Sequence, residues 1–400
     1  METSAHPAPD YPFLEYAELG LDPRLDVARH SGALLRVRLP YAGEAWLATR
    51  YHDVRKVLTD PRFSRAAAMG PDVPRQTPDP PFVSTIMDVD RGEHGRLRRL
   101  VAVAFTERRV DELRPYVREV THRLLDDLLR QGPPVDLVRA LALPLPMTVI
   151  CRTLGVPLAD RDEFRRWTES LLALRRITAE EFRNVVDALE AYLRDLIRQR
   201  RERPTDDLLS ALVAARDSGS RLSEQELLSF GVTLLAAGFE TTASHIASST
   251  YLLLTRPGLW DGLRAAPERL PSTVEELLRY VPLNGGAGLA RVAVADVEFD
   301  QVTVRAGEAV FVSTISANRD EDAFPDAGTF RPDREPAPHL AFGWGPHRCL
   351  GARLATMELH EALAVLLDRA PALRLAVPPA DVSWKTGTIL RGPRELPVTW

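Results

Sequence analysis

The chain has 400 residues, 45% of them hydrophobic, and 51 Lys and Arg against 56 Asp and Glu give it a formal charge of -5. That length and apolar content suffice to bury a large core, while the small net charge and the lack of a basic stripe exclude a nucleic-acid-binding surface. Arginine carries nearly all the positive charge: Lys56 and Lys385 are the only lysines, which reads as a compositional habit of the genome. Two cysteines, Cys151 and Cys349, in so long a chain fit a reducing compartment better than a disulfide framework.

The N-terminal METSAHPAPDYPF has no basic segment followed by an apolar run. Neither a secretion signal nor a membrane anchor is expected, and a cytoplasmic location is. Residues 1–12 read as irregular. Residues 33–39 and 45–49, joined by YAGE, predict a hairpin. Five prolines make 69–82 an irregular loop. Amphipathic runs then predict helices over 95–105, 108–129, 162–174, 179–200, 223–254, 271–280 and 352–367. Short strands are expected at 302–304 and 309–313. With no repeat and no flexible linker, the prediction is one domain over 1–400, mainly α with small β-sheets.

The run from residue 223 is the longest. Ser223 and Glu226 form a capping box, and no proline interrupts it before Pro257. At about 1.5 Å per residue it would exceed roughly 40 Å and cross the whole domain. Glu240, Thr241, Thr242, Ser244 and His245 in its middle argue against a membrane span. Within AAGFETT, residues 236–242, Glu240 is an acid that is costly unless paired, solvated or used. Ala237 and Gly238 share a face with Thr241. Either something flat lies against that face, or the small residues permit tight helix packing while Thr241 bonds back to a carbonyl one turn earlier.

HLAFGWGPHRCLG, residues 339–351, sets Cys349 in a loop of glycine, proline and aromatic residues. Zinc would want more ligands than this spacing offers. Cys349 could be a nucleophile with His347 as base, an inert buried thiol, or the single axial ligand of another metal. Its place just before the helix opened by Gly351 favours thiolate.

Phe342, Gly345, His347, Cys349 and Gly351 match F-x-x-G-x-[RH]-x-C-x-G, the haem-binding signature of the cytochrome P450 monooxygenases, and the chain resembles bacterial, particularly actinobacterial, members. Ala237, Gly238, Glu240 and Thr241 match the family's AG-x-[DE]-T, and Glu276 and Arg279 its E-x-x-R. The likeness runs from about residue 10 to the C-terminus. It implies the P450 fold, a triangular helical prism with haem between the long central helix and the cysteine loop. Haem b is the implied cofactor, with Cys349 as iron ligand, Ala237, Phe342 and Gly351 beside the haem, and His94, Arg98, Arg291 and His347 on its propionates. Arg334 of FRPDR is expected to join Glu276 and Arg279 in a structural ion cluster. Where many relatives have D-P-P-E-H, this chain has DVDRGEH at 88–94, which leaves the path into His94 open.

The same resemblance implies the chemistry. A Cys349 thiolate donates electron density that favours O–O cleavage. Thr241 would hydrogen-bond to bound dioxygen or water while Glu240 relays protons. No Rossmann or Walker fingerprint is present, so electrons are expected from NAD(P)H through a separate ferredoxin and ferredoxin reductase, with Arg99, Arg348 and Arg353 as contacts on a monomer. Phe82, Ile86, Leu234, Ala237, Gly286, Ile389 and Leu390 are the expected substrate pocket, suited to a medium-to-large apolar molecule. The function implied is a late oxidation in secondary metabolism. Competing readings are a peroxygenase driven by hydrogen peroxide, a noncatalytic haem or ligand-binding protein, and a haem-free cysteine nucleophile.

Overall fold

The predicted hairpin forms, with Leu35–Arg38 antiparallel to Glu44–Ala48 and Val37 opposite Ala45. Ala309–Val312 adds in parallel to Glu44–Ala48, and Arg291–Ala293 and Phe63–Ser64 complete a five-stranded sheet. The computed structural model describes residues 7–77, 86–171, 178–217, 222–284, 288–335, 337–386, 388 and 390–400. Their contacts fall into two compact units, one of Met1–Gly95, Asn284–Thr329 and Ala337–Cys349, the other of Arg96–Leu283, Phe330–Pro336 and Leu350–Trp400. Both units are discontinuous in sequence, so no linker composition marks their boundaries.

The first unit holds the five-stranded sheet, with Val54, Val57, Phe63, Val310 and Leu340 buried in one apolar cluster and Tyr11, Phe13, Val37, Leu47 and Phe311 in another. The second is helical apart from a small sheet of Val135–Asp136, Pro397–Thr399 and Arg374–Leu375. Helix Pro144–Leu154 escaped the sequence reading because it is buried nearly all round and shows no one-sided stripe. Its prolines look like breakers, yet the helix begins at Pro144, where a missing N–H costs nothing.

The long helix expected over 223–254 is two helices, Glu224–Gly238 and Glu240–Thr255, broken at Phe239 with φ -123° and ψ -42°. Beside the break the Thr241 hydroxyl donates to the Ala237 carbonyl at 3.0 Å. The Ser223–Glu226 capping box is present. By length and composition alone Glu224–Thr255 could cross a bilayer, but 71% of its apolar window is buried inside the protein.

Helices Glu107–Gln131 and Ala352–Arg369 pack together in the second unit, and Glu361 clamps them. Arg114 Nη1 donates to its Oε1 at 2.8 Å and Arg118 Nε to its Oε2 at 2.7 Å. Burial alone would raise this carboxyl, but the neighbouring His360, Arg118 and Arg114 override it and hold Glu361 at about 2. A folded value below the unfolded one of about 4.3 gives stability that is present above the unfolded value and lost as pH falls toward 2. Glu361→Gln should therefore lower stability at neutral pH and flatten its fall between about pH 4.5 and 2, as read by urea midpoints across that window. An unchanged acid profile would remove Glu361 from acid unfolding.

Candidate functional site

In the first unit the cysteine loop is shaped by glycine and seated on helix Tyr51–Thr59. Gly345 has φ +70°, and a Cβ there would lie 2.6 Å from the Leu58 carbonyl oxygen, so only glycine fits. The Arg55 guanidinium lies 4.4 Å from the Trp344 ring centroid. The Cys349 N–H donates to the Phe342 carbonyl at 2.9 Å, closing the loop and leaving the thiol of Cys349 exposed. Gly351 is the N-cap of Ala352–Arg369 at φ -81°, a conformation any residue adopts. Cys151, by contrast, is a buried free thiol pushed up to about 12 by burial, and it contacts the Met147 sulfur.

The same unit gathers cations. The His94 and His347 rings are 4.0 Å apart between centroids. Burial, followed by the neighbouring His94, Arg291 and Arg65, pushes His347 down to about 3. Burial and Arg65 likewise lower Arg291 to about 10. No carboxylate is hydrogen-bonded to the Arg291 guanidinium among the described residues, although Asp90 lies near enough to favour its charge. A buried cluster whose charge is penalised in this way calls for anionic groups, and a haem bound through Cys349 brings two carboxylates, so these residues fit it. A base lowered in this way is a weaker activator of a thiol, which counts against the haem-free pairing of Cys349 with His347.

Arg65 was missed by the sequence reading. It donates from Nε to the Met87 carbonyl at 2.9 Å, from Nη2 to Asp88 at 3.0 Å and from Nη1 to the Ala290 carbonyl, next to Arg291. Asp90 accepts from the Arg65 N–H at 2.8 Å and from the Ser64 hydroxyl, and its carbonyl accepts from the His94 N–H at 3.0 Å. These bonds fix the path into His94 where the family's prolines are replaced. Arg65→Met takes its guanidinium from the buried Asp88 and from two carbonyls and should cost about 1–3 kcal/mol, part of it regained when Asp88→Leu is added. Urea unfolding of both variants checks this; equal midpoints for wild type and Arg65→Met would contradict it. Arg98 lies on the helix Arg91–Ala102, one turn after His94 and half-buried.

In the second unit the AAGFETT face divides. Gly238 is a packing residue, since a Cβ there would lie 2.7 Å from Ile150. Ala237 is exposed and Thr241 half-buried. The Thr241 hydroxyl has its one hydrogen committed to Ala237, so toward any other group it is an acceptor. Glu240 is buried and pairs through Oε1 with Lys385, whose Nζ also donates to Ser244 Oγ at 2.9 Å. Lys385, read from composition as incidental, thus sits against the acid of this motif.

Glu276, Arg279 and Arg334 come together in the second unit. Arg279 Nε and Nη2 each donate to Glu276 at 2.7 Å, and Arg334 Nε to both its oxygens at 3.2 Å. Arg331 joins through its backbone N–H, at 2.9 Å. Of the expected pocket residues, Leu390 lines a cavity of about 730 Å³ together with Glu240, Leu143 and Met147. Ile86 is buried and Leu234 half-buried. Phe82, Gly286 and Ile389 lie outside the described residues. Arg99 and Arg348 are exposed, while Arg353 pairs with Glu107 at 2.9 Å.

The family profile described as Cytochrome P450 matches residues 167–371. The chain is 50% identical over 398 residues to mycinamicin IV hydroxylase/epoxidase from Micromonospora griseorubida, covering 100% of both. It is 51% identical over 391 residues to nocardicin C N-oxygenase from Nocardia uniformis subsp. tsuyamanensis, covering 98% of each. The structure of the LnmA cytochrome P450 hydroxylase from the leinamycin pathway of Streptomyces atroolivaceus superposes with a TM-score of 0.92 at 49% identity, over 98% of this chain and 100% of that one. Likeness of this depth along the whole length, on a fold that is mainly helical with small sheets, establishes that the chain belongs to the cytochrome P450 family.

Proposed function

We propose that the chain is a haem-thiolate monooxygenase that oxidises a medium-to-large apolar small molecule in a late tailoring step of secondary metabolism, with electrons from NAD(P)H delivered by a separate ferredoxin and its reductase. The observation that carries the reading is the exposed Cys349 in the same unit as the buried Arg291 and His94 and the half-buried His347, basic side chains gathered where two carboxylates would pair with them. When bound, haem b supplies the reductive activation of dioxygen. Cys349 would hold the iron as thiolate, beside Phe342, Gly351 and Ala237. Arg291, His94, His347 and Arg98 would take the two carboxylates. Thr241 Oγ1 would accept a hydrogen bond from a protonated oxygen, and Glu240 would resupply the proton.

We read both units as one catalytic domain, acting as a monomer in the cytoplasm. Relatives at 50% and 51% identity are named for different reactions on different molecules, so similarity of this degree supports the tailoring class and leaves the substrate open. The test is to screen candidate small molecules by their spin-state shift and then supply ferredoxin, reductase, NADPH and dioxygen. Oxidised product under those conditions supports the reading. Product from hydrogen peroxide alone would favour the peroxygenase, and binding without product a noncatalytic role.

A further inference from the structure

We propose that Lys385 is a positioning residue for Glu240, holding its carboxylate against a solvent-fed cavity through which protons enter the site. This rests on the monooxygenase reading above and assigns a residue to it that no motif contains.

The root of Lys385 is fixed from three sides within the second unit. Trp384 stacks edge-on against Tyr251 with ring centroids 5.1 Å apart. The Lys385 N–H donates to the Gly392 carbonyl at 2.9 Å. Gly392, at φ +148°, lets that turn approach the Glu240–Thr255 helix so closely that an added Cβ would lie 3.3 Å from both Ser244 and Ser248. From that base the ammonium reaches Glu240 Oε1 and Ser244 Oγ, one turn apart on the same helix.

Glu240 has only one oxygen engaged. Its Oε2 is buried without a hydrogen-bond partner among the described residues, a costly arrangement for an acceptor with no use. Both Glu240 and Lys385 line the cavity of about 730 Å³. Its apolar part is Leu143, Pro144 and Met147, while Arg161, Arg165 and Arg394 line it with exposed side chains. Water entering between these arginines reaches a carboxylate that Lys385 keeps in place. Without the ammonium the Glu240 side chain is free to leave the cavity, and proton supply to the reaction slows.

The pair itself is tested in the haem-loaded and haem-free protein by the thermal midpoints of Lys385→Met, Glu240→Gln and the double variant. We expect non-additive shifts, the double variant resembling either single one. Lys385→Met should then lower product formed per NADPH severalfold and raise the solvent deuterium isotope effect on turnover. Lys385→Arg, which restores a cation, should recover most of the yield. Additive midpoints, or unchanged yield and isotope effect in Lys385→Met, would overturn the proposal while wild-type turnover keeps the monooxygenase reading intact. A wild-type protein without thiolate-bound haem would overturn that reading instead.

Discussion

Glu276→Ala should leave little folded haem protein. Glu276 and Arg279 are 4% and 3% exposed, and the carboxylate accepts from Arg279, Arg334 and the Arg331 N–H at once. Removing it takes the shared carboxylate away from two guanidiniums in a place that largely excludes water. Breaking a buried pair this way costs about 3–5 kcal/mol, a large share of the roughly 5–15 kcal/mol that holds a domain together. Glu276→Gln keeps an acceptor but loses the charge and should cost less, about 1–3 kcal/mol. Urea midpoints and haem content of the two variants check the order. A Glu276→Ala protein as stable as wild type would show that the cluster is not structural.

Thr241→Ala should leave substrate binding intact while electrons are spent on hydrogen peroxide. The Thr241 hydroxyl gives its hydrogen to Ala237, so it offers lone pairs to a protonated oxygen and can hold it for the next proton from Glu240. Positioned proton transfer contributes roughly 10²–10⁴-fold, and a loss of about tenfold or more in product per NADPH is expected. Thr241→Ser keeps the hydroxyl and should retain most of the yield. Measuring product and peroxide against NADPH consumed separates the variants; unchanged coupling in Thr241→Ala would remove the residue from proton delivery.

The sequence carried what is local. The Ser223–Glu226 capping box and the hairpin around YAGE can be read from spacing alone, and the structure contains both; the Glu276–Arg279 pair, by spacing alone a solvated helix face, was expected only from the E-x-x-R resemblance and is present and buried. The expected Arg334 of FRPDR puts its side chain on Glu276, and Arg331 of the same segment adds its backbone N–H, which no side-chain pattern announces. The break at Phe239 was invisible because the 3.6-residue pattern continues through it.

Long-range polar contacts escaped for a different reason. Lys385 lies 145 residues from Glu240, and Arg65 lies 225 from the Ala290 carbonyl it bonds. Neither has a local pattern that announces its partner. A costly mid-helix acid such as Glu240 was the one available signal that a cation had to be somewhere nearby.

The first measurement is the visible spectrum of the purified protein, reduced with dithionite and exposed to carbon monoxide, beside that of Cys349→Ala. We predict a strongly red-shifted Soret band in the wild type and its loss in the variant, as thiolate ligation through Cys349 requires. A colourless protein that fails to take up added haem, or a Cys349→Ala variant that keeps the band, would contradict it.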